Sequence, residues 1–251
     1  MGVKSALVTG ASEGIGRAFA VALAAQGYTL VLVARNEAAL TSLATQLRGD
    51  GHVCLAADLA TPEGVTAVCD RLQSTPVQLL INNAGVGLVG GFCQPAIEQH
   101  LALVRLNIEA LTRLSFAFCA QAKAGDALIN VSSVLAAAPQ PAQPVYAATK
   151  AFVTSLSESL WYEMGARKVL VMALQPGATL TRFHTHAGRP ATWQRPGWLS
   201  QTPEAVVACA LAALQSHRGP TVTSGAGNRL FVWAAKRLPR QWLVKLMART
   251  S

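Results

Sequence analysis

The 251-residue chain has few charged residues and few aromatic rings. Charged residues make up 13% of the chain and aromatic residues 6%, whereas 51% of the residues are hydrophobic. A chain with this much apolar content can bury a large core, which excludes intrinsic disorder as a description of the whole chain. Its length favours one large α/β domain over two domains. We therefore expect residues 1–251 to form a single domain.

Sequence signals for disulfides, secretion, membrane spans and metal sites are also lacking. The five cysteines are scattered without a C-x-x-C pair, which predicts buried thiols in a reducing compartment. The first ten residues contain no apolar stretch ahead of a small-residue cleavage site, and no window of about 18 apolar residues lacks charge. His184 and His186 have no cysteine or carboxylate cluster near them in the sequence, so we expect no metal. Together these absences predict a cytoplasmic protein.

Acidic residues are scarce in the last part of the chain. Residues 182–251 contain ten Lys or Arg and a single acid, Glu204, whereas residues 1–181 contain eleven charges of each sign. The basic end could meet anionic partners such as lipid head groups, an acyl carrier or nucleotide phosphates, or it could be a solvated basic face. No nucleic-acid-reading module is recognisable, so we expect no nucleic acid partner.

Short apolar runs alternate with helical patterns from the first residues onward. This order predicts a parallel sheet with helices on both faces, which is a doubly wound α/β fold. The predicted helices cover 14–26, 36–48, 62–73, 98–123, 145–165 and 203–216. The predicted strands are Lys4–Thr9, Thr29–Ala34, His52–Ala56, Gln78–Asn82, Ala127–Ser132, Lys168–Leu174 and Pro220–Ser224.

A glycine-rich turn, Thr9–Gly16, follows the first predicted strand and opens a helix. Glycine tolerates positive φ and lets backbone N–H groups approach a pyrophosphate at the helix N-terminus. The spacing, Gly-x3-Gly-x-Gly, differs from the common dinucleotide fingerprint, and the alternative is a tight turn without a ligand. The residues that we expect to contact a dinucleotide here are Gly10, Ser12, Glu13, Gly14, Ile15 and Gly16.

The end of the second predicted strand indicates which dinucleotide is bound. NAD sites usually place Asp or Glu there to bind the ribose 2′-hydroxyl, but this chain has Arg35. A planar guanidinium suits a 2′-phosphate, which predicts NADP(H) as the cofactor. The alternative is that Arg35 is an ordinary surface residue. Glu13 complicates the prediction, because a carboxylate near that phosphate would repel it.

Three further motifs accompany the glycine turn. Asn82–Gly85 ends the fourth predicted strand, Ser133 and Tyr146–Lys150 follow the fifth, and Pro176–Gly177 follows the sixth. Over about residues 4–181 this set resembles the short-chain dehydrogenase/reductase family, and within it the NADP(H)-preferring bacterial members related to hydroxysteroid and 3-ketoacyl reductases. The resemblance implies a Rossmann-type, three-layer α/β/α fold with a seven-stranded parallel sheet in the order 3-2-1-4-5-6-7.

Tyr146 and Lys150 are four residues apart on one predicted helix, so they share a face. A free tyrosine has a pKa of about 10 and is a poor proton shuttle at neutral pH. An ammonium about 4 Å away favours the phenolate by roughly 4 kcal/mol, or about three pKa units, at an effective dielectric constant near 20. This would bring the tyrosine pKa to about 7, as an upper limit on the effect. The alternative is an incidental surface pair.

The family resemblance assigns the catalytic roles. Tyr146 would exchange a proton with the carbonyl oxygen, and Lys150 would lower the tyrosine pKa and bind the nicotinamide ribose. Ser133, rather than Ser132, would hold the carbonyl oxygen, and Asn107 would hold a water that links the lysine to solvent. Further cofactor contacts would come from Asp58, Leu59, Asn83, Ala84, Gly85, Pro176, Gly177, Thr179 and Thr181.

Two segments beyond the motifs point to the substrate. Residues 182–200 are rich in Gly, Pro and Trp and predict a mobile lid, in which Trp193 and Trp198 could line an apolar pocket or hold the loop in place. Residues 228–251 predict a basic amphipathic extension divided at Pro239. This extension could lie on a membrane surface, or pack on the domain or on a partner subunit. Its residues that could share an apolar face are Leu238, Trp242, Leu243, Leu246 and Met247.

We therefore expect an NADP(H)-dependent carbonyl reductase or alcohol dehydrogenase that acts on an apolar small molecule. Family members usually form homodimers or homotetramers through the helices near 98–123 and 145–165, so a homo-oligomer is also expected. Two alternatives stay open. One is a non-catalytic, nucleotide-sensing interaction protein on the same fold, and the other is a membrane-surface reductase of lipid carbonyls.

Overall fold

A computed structural model describes residues 4–190 and 200–249 of the chain. Within these ranges the strands are β1 (Lys4–Thr9), β2 (Tyr28–Ala34), β3 (Val53–Ala56), β4 (Leu79–Asn82), β5 (Ala127–Val131), β6 (Leu170–Gln175), β7 (Ala178–Thr179), β8 (Ser200–Gln201) and β9 (Thr221–Thr223). Seven of them form one parallel sheet in the order β3-β2-β1-β4-β5-β6-β9, and β7 pairs with β8 in a separate two-stranded sheet.

Eight of the ten described helices lie between consecutive strands, and the last two follow the final strand. Several begin at the caps that the sequence provides. The Thr61 hydroxyl accepts a hydrogen bond from the Gly64 amide at 3.1 Å, and Thr202 caps a later helix in the same way. The helices are α1 (Gly14–Ala25), α2 (Glu37–Ala44), α3 (Pro62–Ser74), α4 (Ile97–Val104), α5 (Leu111–Gln121), α6 (Pro144–Gly165), α7 (Phe183–His186), α8 (Pro203–Gln215), α9 (Ala226–Ala235) and α10 (Arg240–Ala248).

Two apolar clusters cover the two faces of the sheet. Along β2, Leu30 and Leu32 pack into one cluster with α1 and α8, whereas Val31 and Val33 pack into the other with α3 and α5. A strand buried on both faces must be apolar at every position, which explains its continuous Leu/Val sequence. The predicted fold class and strand order are therefore confirmed. The seventh strand of the main sheet is β9, because the short β7 and β8 precede it in the chain.

The long helix predicted over 98–123 is interrupted. Between α4 and α5, residues Arg105–Ala110 form a π-helical segment, in which each backbone hydrogen bond spans five residues instead of four. Asn107 lies in this segment, and only 1% of its surface is exposed. Apolar periodicity does not distinguish this segment from an ordinary helix.

The five cysteines are free, and the expectation of buried thiols holds fully only for Cys119. Cys54, Cys69 and Cys209 are half-buried, and Cys93 is exposed, so the expectation is wrong at Cys93.

The C-terminal extension forms α9 and α10, and Pro239 lies between them as predicted. The single apolar face predicted for it is wrong, however. Leu243 and Met247 are buried in a small cluster with Ala138 and Ala235. The other three residues of the predicted face point outward and are exposed, namely Leu238, Trp242 and Leu246.

Across residues 4–190 and 200–249, none of the helices has both the length and the apolarity needed to cross a membrane. The predicted lid is described only in part. It begins with the short helix α7, and Trp193 and Trp198 lie outside the described residues.

Candidate active site

The glycine turn lies between the carboxyl ends of β1 and β4. Gly10 and Gly14 have φ angles of 64° and 55°, a region that favours glycine. The Asn83 side-chain amide donates to the carbonyl oxygens of Thr9 at 2.9 Å and Gly10 at 3.3 Å, and the Asn83 backbone N–H donates to the Thr9 hydroxyl at 2.9 Å. These hydrogen bonds fix the turn from the neighbouring strand. Asn83 is therefore a support of the turn as well as part of the cavity wall.

A cavity of about 510 Å³ opens at the carboxyl edge of the sheet, in the size range of small-molecule sites. It runs from the glycine turn past the ends of β2, β4 and β5 to α6. The residues predicted from the sequence that line it are Gly10, Ser12, Glu13, Gly14, Ile15, Arg35, Asp58, Leu59, Asn83, Ala84, Gly85, Ser133, Tyr146, Lys150, Pro176, Gly177, Thr179 and Thr181.

Two predicted site residues lie behind this lining. Gly16 is buried, and a Cβ there would collide with the Gly10 carbonyl oxygen, so the residue serves close packing of the turn. The Asn107 side chain accepts from the Val86 amide at 3.0 Å, and donates to the Val86 carbonyl at 2.9 Å and the Thr149 hydroxyl at 3.2 Å. Asn107 thus ties the loop after β4 to α6, and its role with a water stays a prediction.

The two serines after β5 have different surroundings. The Ser132 hydroxyl donates to the Lys150 carbonyl at 2.7 Å and also meets the Thr154 hydroxyl at 2.7 Å, so it holds α6 against the sheet. The Ser133 hydroxyl instead lies beside Tyr146 in the cavity lining, where it acts as a hydrogen-bond donor that lowers the Tyr146 pKa. The predicted choice of Ser133 over Ser132 is consistent with these contacts, and its part in catalysis stays a prediction.

The predicted acidity of Tyr146 is wrong. Burial raises the pKa of the Tyr146 hydroxyl to about 12, and the hydrogen bond from Ser133 offsets only part of this effect. Burial also lowers the pKa of Lys150 to about 8, and its Nζ donates to the Val131 carbonyl at 2.8 Å. The prediction from the sequence treated desolvation only as a limit on the attraction between the two side chains, whereas burial of the tyrosine itself decides the direction of the shift in its pKa. Tyr146 is therefore a neutral hydroxyl at neutral pH, able to donate a proton.

The carboxylate of Glu13 faces Arg182 and His186 at the start of the lid. Its Oε2 lies 2.7 Å from Arg182 Nη2, and its Oε1 lies 3.3 Å from His186 Nδ1. Because the positive charge of Arg182 offsets the negative charge of Glu13, the repulsion expected between Glu13 and a phosphate is reduced. Within residues 4–190 and 200–249, no group of three His, Cys, Asp or Glu side chains is placed to hold a metal.

The sequence profile described as short chain dehydrogenase matches residues 4–191. The chain belongs to this family. The resemblance predicted from the motifs is therefore confirmed, and it covers three-quarters of the chain.

Relatives of this short chain dehydrogenase support the assignment. A short chain dehydrogenase of Pseudocercospora fijiensis is 33% identical over 184 residues, which cover 70% of this chain and 59% of that protein. Sulfoacetaldehyde reductase 2 of Chromohalobacter salexigens is 34% identical over 187 residues, which cover 70% of this chain and 73% of that protein. The structure of a short-chain dehydrogenase from Sphingobium yanoikuyae in complex with NADPH is 35% identical, with a TM-score of 0.82, and covers 88% of this chain and 87% of that one.

Several cavity residues of this short chain dehydrogenase were not predicted. Phe183 of α7 packs against Tyr146 with ring centroids 5.6 Å apart. From the extension, Asn228 and Phe231 of α9 reach the cavity because β9 returns the chain to the carboxyl edge of the sheet. No local motif marks these positions. The same holds for Gln140 and Gln143 in the loop before α6, which also line the cavity.

Proposed function

We propose that this protein is an NADP(H)-dependent carbonyl reductase and alcohol dehydrogenase. The observation that carries the proposal is that Ser133, Tyr146 and Lys150 line one cavity, which begins at the glycine turn. A buried hydroxyl pair suits a carbonyl oxygen, which accepts one hydrogen bond from each hydroxyl. The family consists of oxidoreductases, which agrees with this chemistry.

The glycine turn fits a dinucleotide. A Cβ at Gly10 would lie 2.8 Å from the Asn83 amide nitrogen, and one at Gly14 would lie 3.0 Å from the Thr181 side chain. Only glycine keeps this backbone open toward the N-terminus of α1, where a pyrophosphate is favoured. When bound, the nicotinamide supplies the hydride that is transferred to the carbonyl carbon.

The chain's own residues then handle the proton. Tyr146 donates its proton to the carbonyl oxygen as negative charge develops there, and in the reverse direction it accepts the proton from the alcohol. Ser133 orients the same oxygen. Lys150, with its ammonium group close to the Tyr146 ring at 5.8 Å from the centroid, stabilises the phenolate left after transfer.

Preference for NADP(H) over NAD(H) is part of the proposal. Arg35 is exposed at the end of β2 and lines the cavity, where a 2′-phosphate on the adenosine ribose would need a cation. The NADPH in the S. yanoikuyae structure supports this preference by analogy. The ion pair of Glu13 with Arg182 removes the opposing charge.

The proposed substrate is a medium-sized apolar ketone or the corresponding secondary alcohol. Beyond the hydroxyl pair, the cavity is lined by five apolar side chains, by the amides of Gln140, Gln143 and Asn228, and by Arg182, His184, His186 and Arg189 from the start of the lid. The apolar side chains favour a substrate with an apolar body, whose carbonyl oxygen meets the hydroxyl pair. The apolar side chains are Val86, Val134, Leu135, Phe183 and Phe231.

The decisive experiment compares wild type with Tyr146→Phe on a panel of steroid, aromatic, 3-oxoacyl and sugar ketones, with NADPH consumption followed optically. We expect wild-type turnover of at least one apolar ketone, and a loss of about 10²–10⁴-fold in the variant, the usual contribution of a positioned acid. NADPH binding should persist in the variant. A non-catalytic nucleotide sensor, the second candidate, would instead bind NADPH without turnover, and Tyr146→Phe would leave its cellular activity unchanged.

Three broader predictions complete the proposal. A homo-oligomer would form through α5 and α6, since Phe116 and Tyr162 on these helices are largely exposed. The free cysteines agree with a cytoplasmic location. Residues 1–251 would act as one domain with a substrate lid over 182–200 and an extension over 228–251.

A reductase of lipid carbonyls at a membrane surface would use the same chemistry on a different substrate source.

A further inference from the structure

The outer side of the C-terminal extension is apolar to an unusual degree. Trp242 is 73% exposed and Leu230 is 64% exposed, and Trp233 and Leu246 are about half exposed. Trp233 lies three residues after Leu230, and Leu246 lies four residues after Trp242, so each pair shares one side of its helix. We call the exposed side chains of residues 229–249 the outer face of the extension. An apolar cluster of this kind marks an interaction site.

This outer face carries positive charge alone. Residues 226–249 contain no Asp or Glu. The Arg237 guanidinium stacks on the Trp233 ring, 4.2 Å from its centroid, so cation and apolar surface are in direct contact. The basic residues of the extension, all exposed, are Arg229, Lys236, Arg237, Arg240, Lys245 and Arg249.

The folding of the extension does not require the outer face. Leu243 and Met247 anchor α10 in an apolar cluster, and Val232 and Ala235 turn inward from α9. The exposed Trp and Leu side chains are thus additional to the residues that hold the helices in place. A solvated basic face explains the arginines and lysines but not the tryptophans between them.

We propose that the outer face of the extension docks on an anionic lipid surface. Tryptophan and leucine side chains beside Lys and Arg are the combination that binds the boundary between head groups and acyl chains. A second copy of the chain is a poorer fit, because a two-fold contact would set this face, with its six cations, against the same six cations. An anionic membrane complements both the charge and the apolar side chains.

Docking would place the cavity next to the lipid. Asn228 and Phe231 lie on the side of α9 that lines the cavity, opposite the exposed Leu230 and Trp233. One helix, about 10 Å across, would separate the cavity from the membrane. If the proposed reductase function holds, apolar ketones dissolved in the bilayer are the substrate class that this arrangement supplies.

The test is flotation of the full-length protein with vesicles of phosphatidylcholine, with and without phosphatidylglycerol. We expect wild type to float with the anionic vesicles and to remain unbound with the neutral ones, and salt to weaken binding. The charge variant Arg240→Gln/Lys245→Gln should bind the anionic vesicles roughly 30-fold more weakly, because each cation near such a surface contributes about fivefold to partitioning. Its control, Arg48→Gln/Lys123→Gln, removes two exposed cations elsewhere and should bind like wild type.

The apolar variant Trp242→Ser/Leu246→Ser should also lose flotation, whereas Ile97→Ser, an exposed apolar residue of α4, should keep it. Turnover of a water-soluble ketone is measured on the same preparations and should be unchanged in all four variants.

If wild type fails to float with anionic vesicles, the docking proposal is overturned whatever its turnover. The charge variant and the apolar variant of the extension could instead float normally and show a changed oligomeric state when measured by light scattering. The outer face would then be a subunit interface, and docking would again be overturned. Flotation without any ketone turnover would overturn the reductase alone.

Discussion

Glu13 in the glycine turn and Arg182 at the start of the lid form an ion pair across 169 residues of sequence. Glu13 Oε2 accepts from Arg182 Nε at 2.9 Å and lies 2.7 Å from Nη2. Both side chains are substantially exposed, so the pair contributes little to stability. Its effect lies in the cavity, since Arg182 offsets the one negative charge within the glycine turn.

Removing that compensation should weaken cofactor binding. Arg182→Ala leaves the Glu13 carboxylate facing the phosphates of NADPH, and we expect Kd to rise roughly tenfold, equivalent to about 1.4 kcal/mol of repulsion. The double variant Glu13→Gln/Arg182→Ala should recover most of this loss. Fluorescence titration with NADPH gives the Kd values, and Arg113→Ala, from an exposed ion pair on α5, is the control. Equal Kd values for the single and double variants would show that Arg182 acts on the cofactor directly.

Cofactor choice should depend on Arg35. A charge-assisted hydrogen bond contributes about 1.5–3 kcal/mol, so Arg35→Ala should weaken NADPH binding by roughly 10- to 150-fold. NADH binding should change little, because NADH carries no 2′-phosphate. Titrations of both cofactors against wild type, Arg35→Ala and the exposed control Arg48→Ala measure this preference. Equal wild-type affinities for the two cofactors would refute the assignment of NADP(H).

The pH dependence of turnover should report on Lys150. Its pKa is lowered to about 8, so the stabilising ammonium is present below pH 8 and is lost above it, whereas the Tyr146 proton, with a pKa of about 12, stays in place. We expect kcat/KM for ketone reduction to be level below about pH 8 and to fall above it. Lys150→Met should be slow at every pH and show no break near 8. A wild-type profile that stays level to pH 10 would assign the stabilisation to another group.

The fold was predictable because its signals are local. Continuous apolar strands such as β2, helix caps such as Thr61 and the glycine turn each specify short segments, and their order leaves few topologies. The wrong predictions concern properties set by distant parts of the chain. The π-helical segment around Asn107 keeps the apolar pattern of an ordinary helix, and the side chains of α10 divide between core and surface according to what packs beneath them.

In the candidate site, too, locally determined features were predictable and features set by distant residues were not. The motif residues meet in one cavity because parallel strands end at one edge of the sheet. The alternation of strands and helices along the chain is enough to predict this arrangement. The pKa of Tyr146 was not predictable from its spacing to Lys150, because burial by surrounding residues is the largest cause of its shift. Asn228 and Phe231 reach the cavity through the return of β9, and no pattern near them in the sequence indicates this.

Close packing of the glycine turn gives a prediction for stability. A Cβ at Gly16 would overlap the Gly10 carbonyl oxygen, a backbone atom that cannot move aside without opening the turn. We therefore expect Gly16→Ala to lower the free energy of unfolding by about 1–3 kcal/mol, as overpacking usually does. The matched control is Gly165→Ala at the end of α6, where an added Cβ meets no atom within 4 Å. Since alanine restricts the unfolded chain more than glycine does, this control should be neutral or stabilising by about 0.4–1 kcal/mol. Urea denaturation of both variants measures the two values, and a Gly16→Ala protein as stable as the control would mean that the turn can relax around the added methyl group.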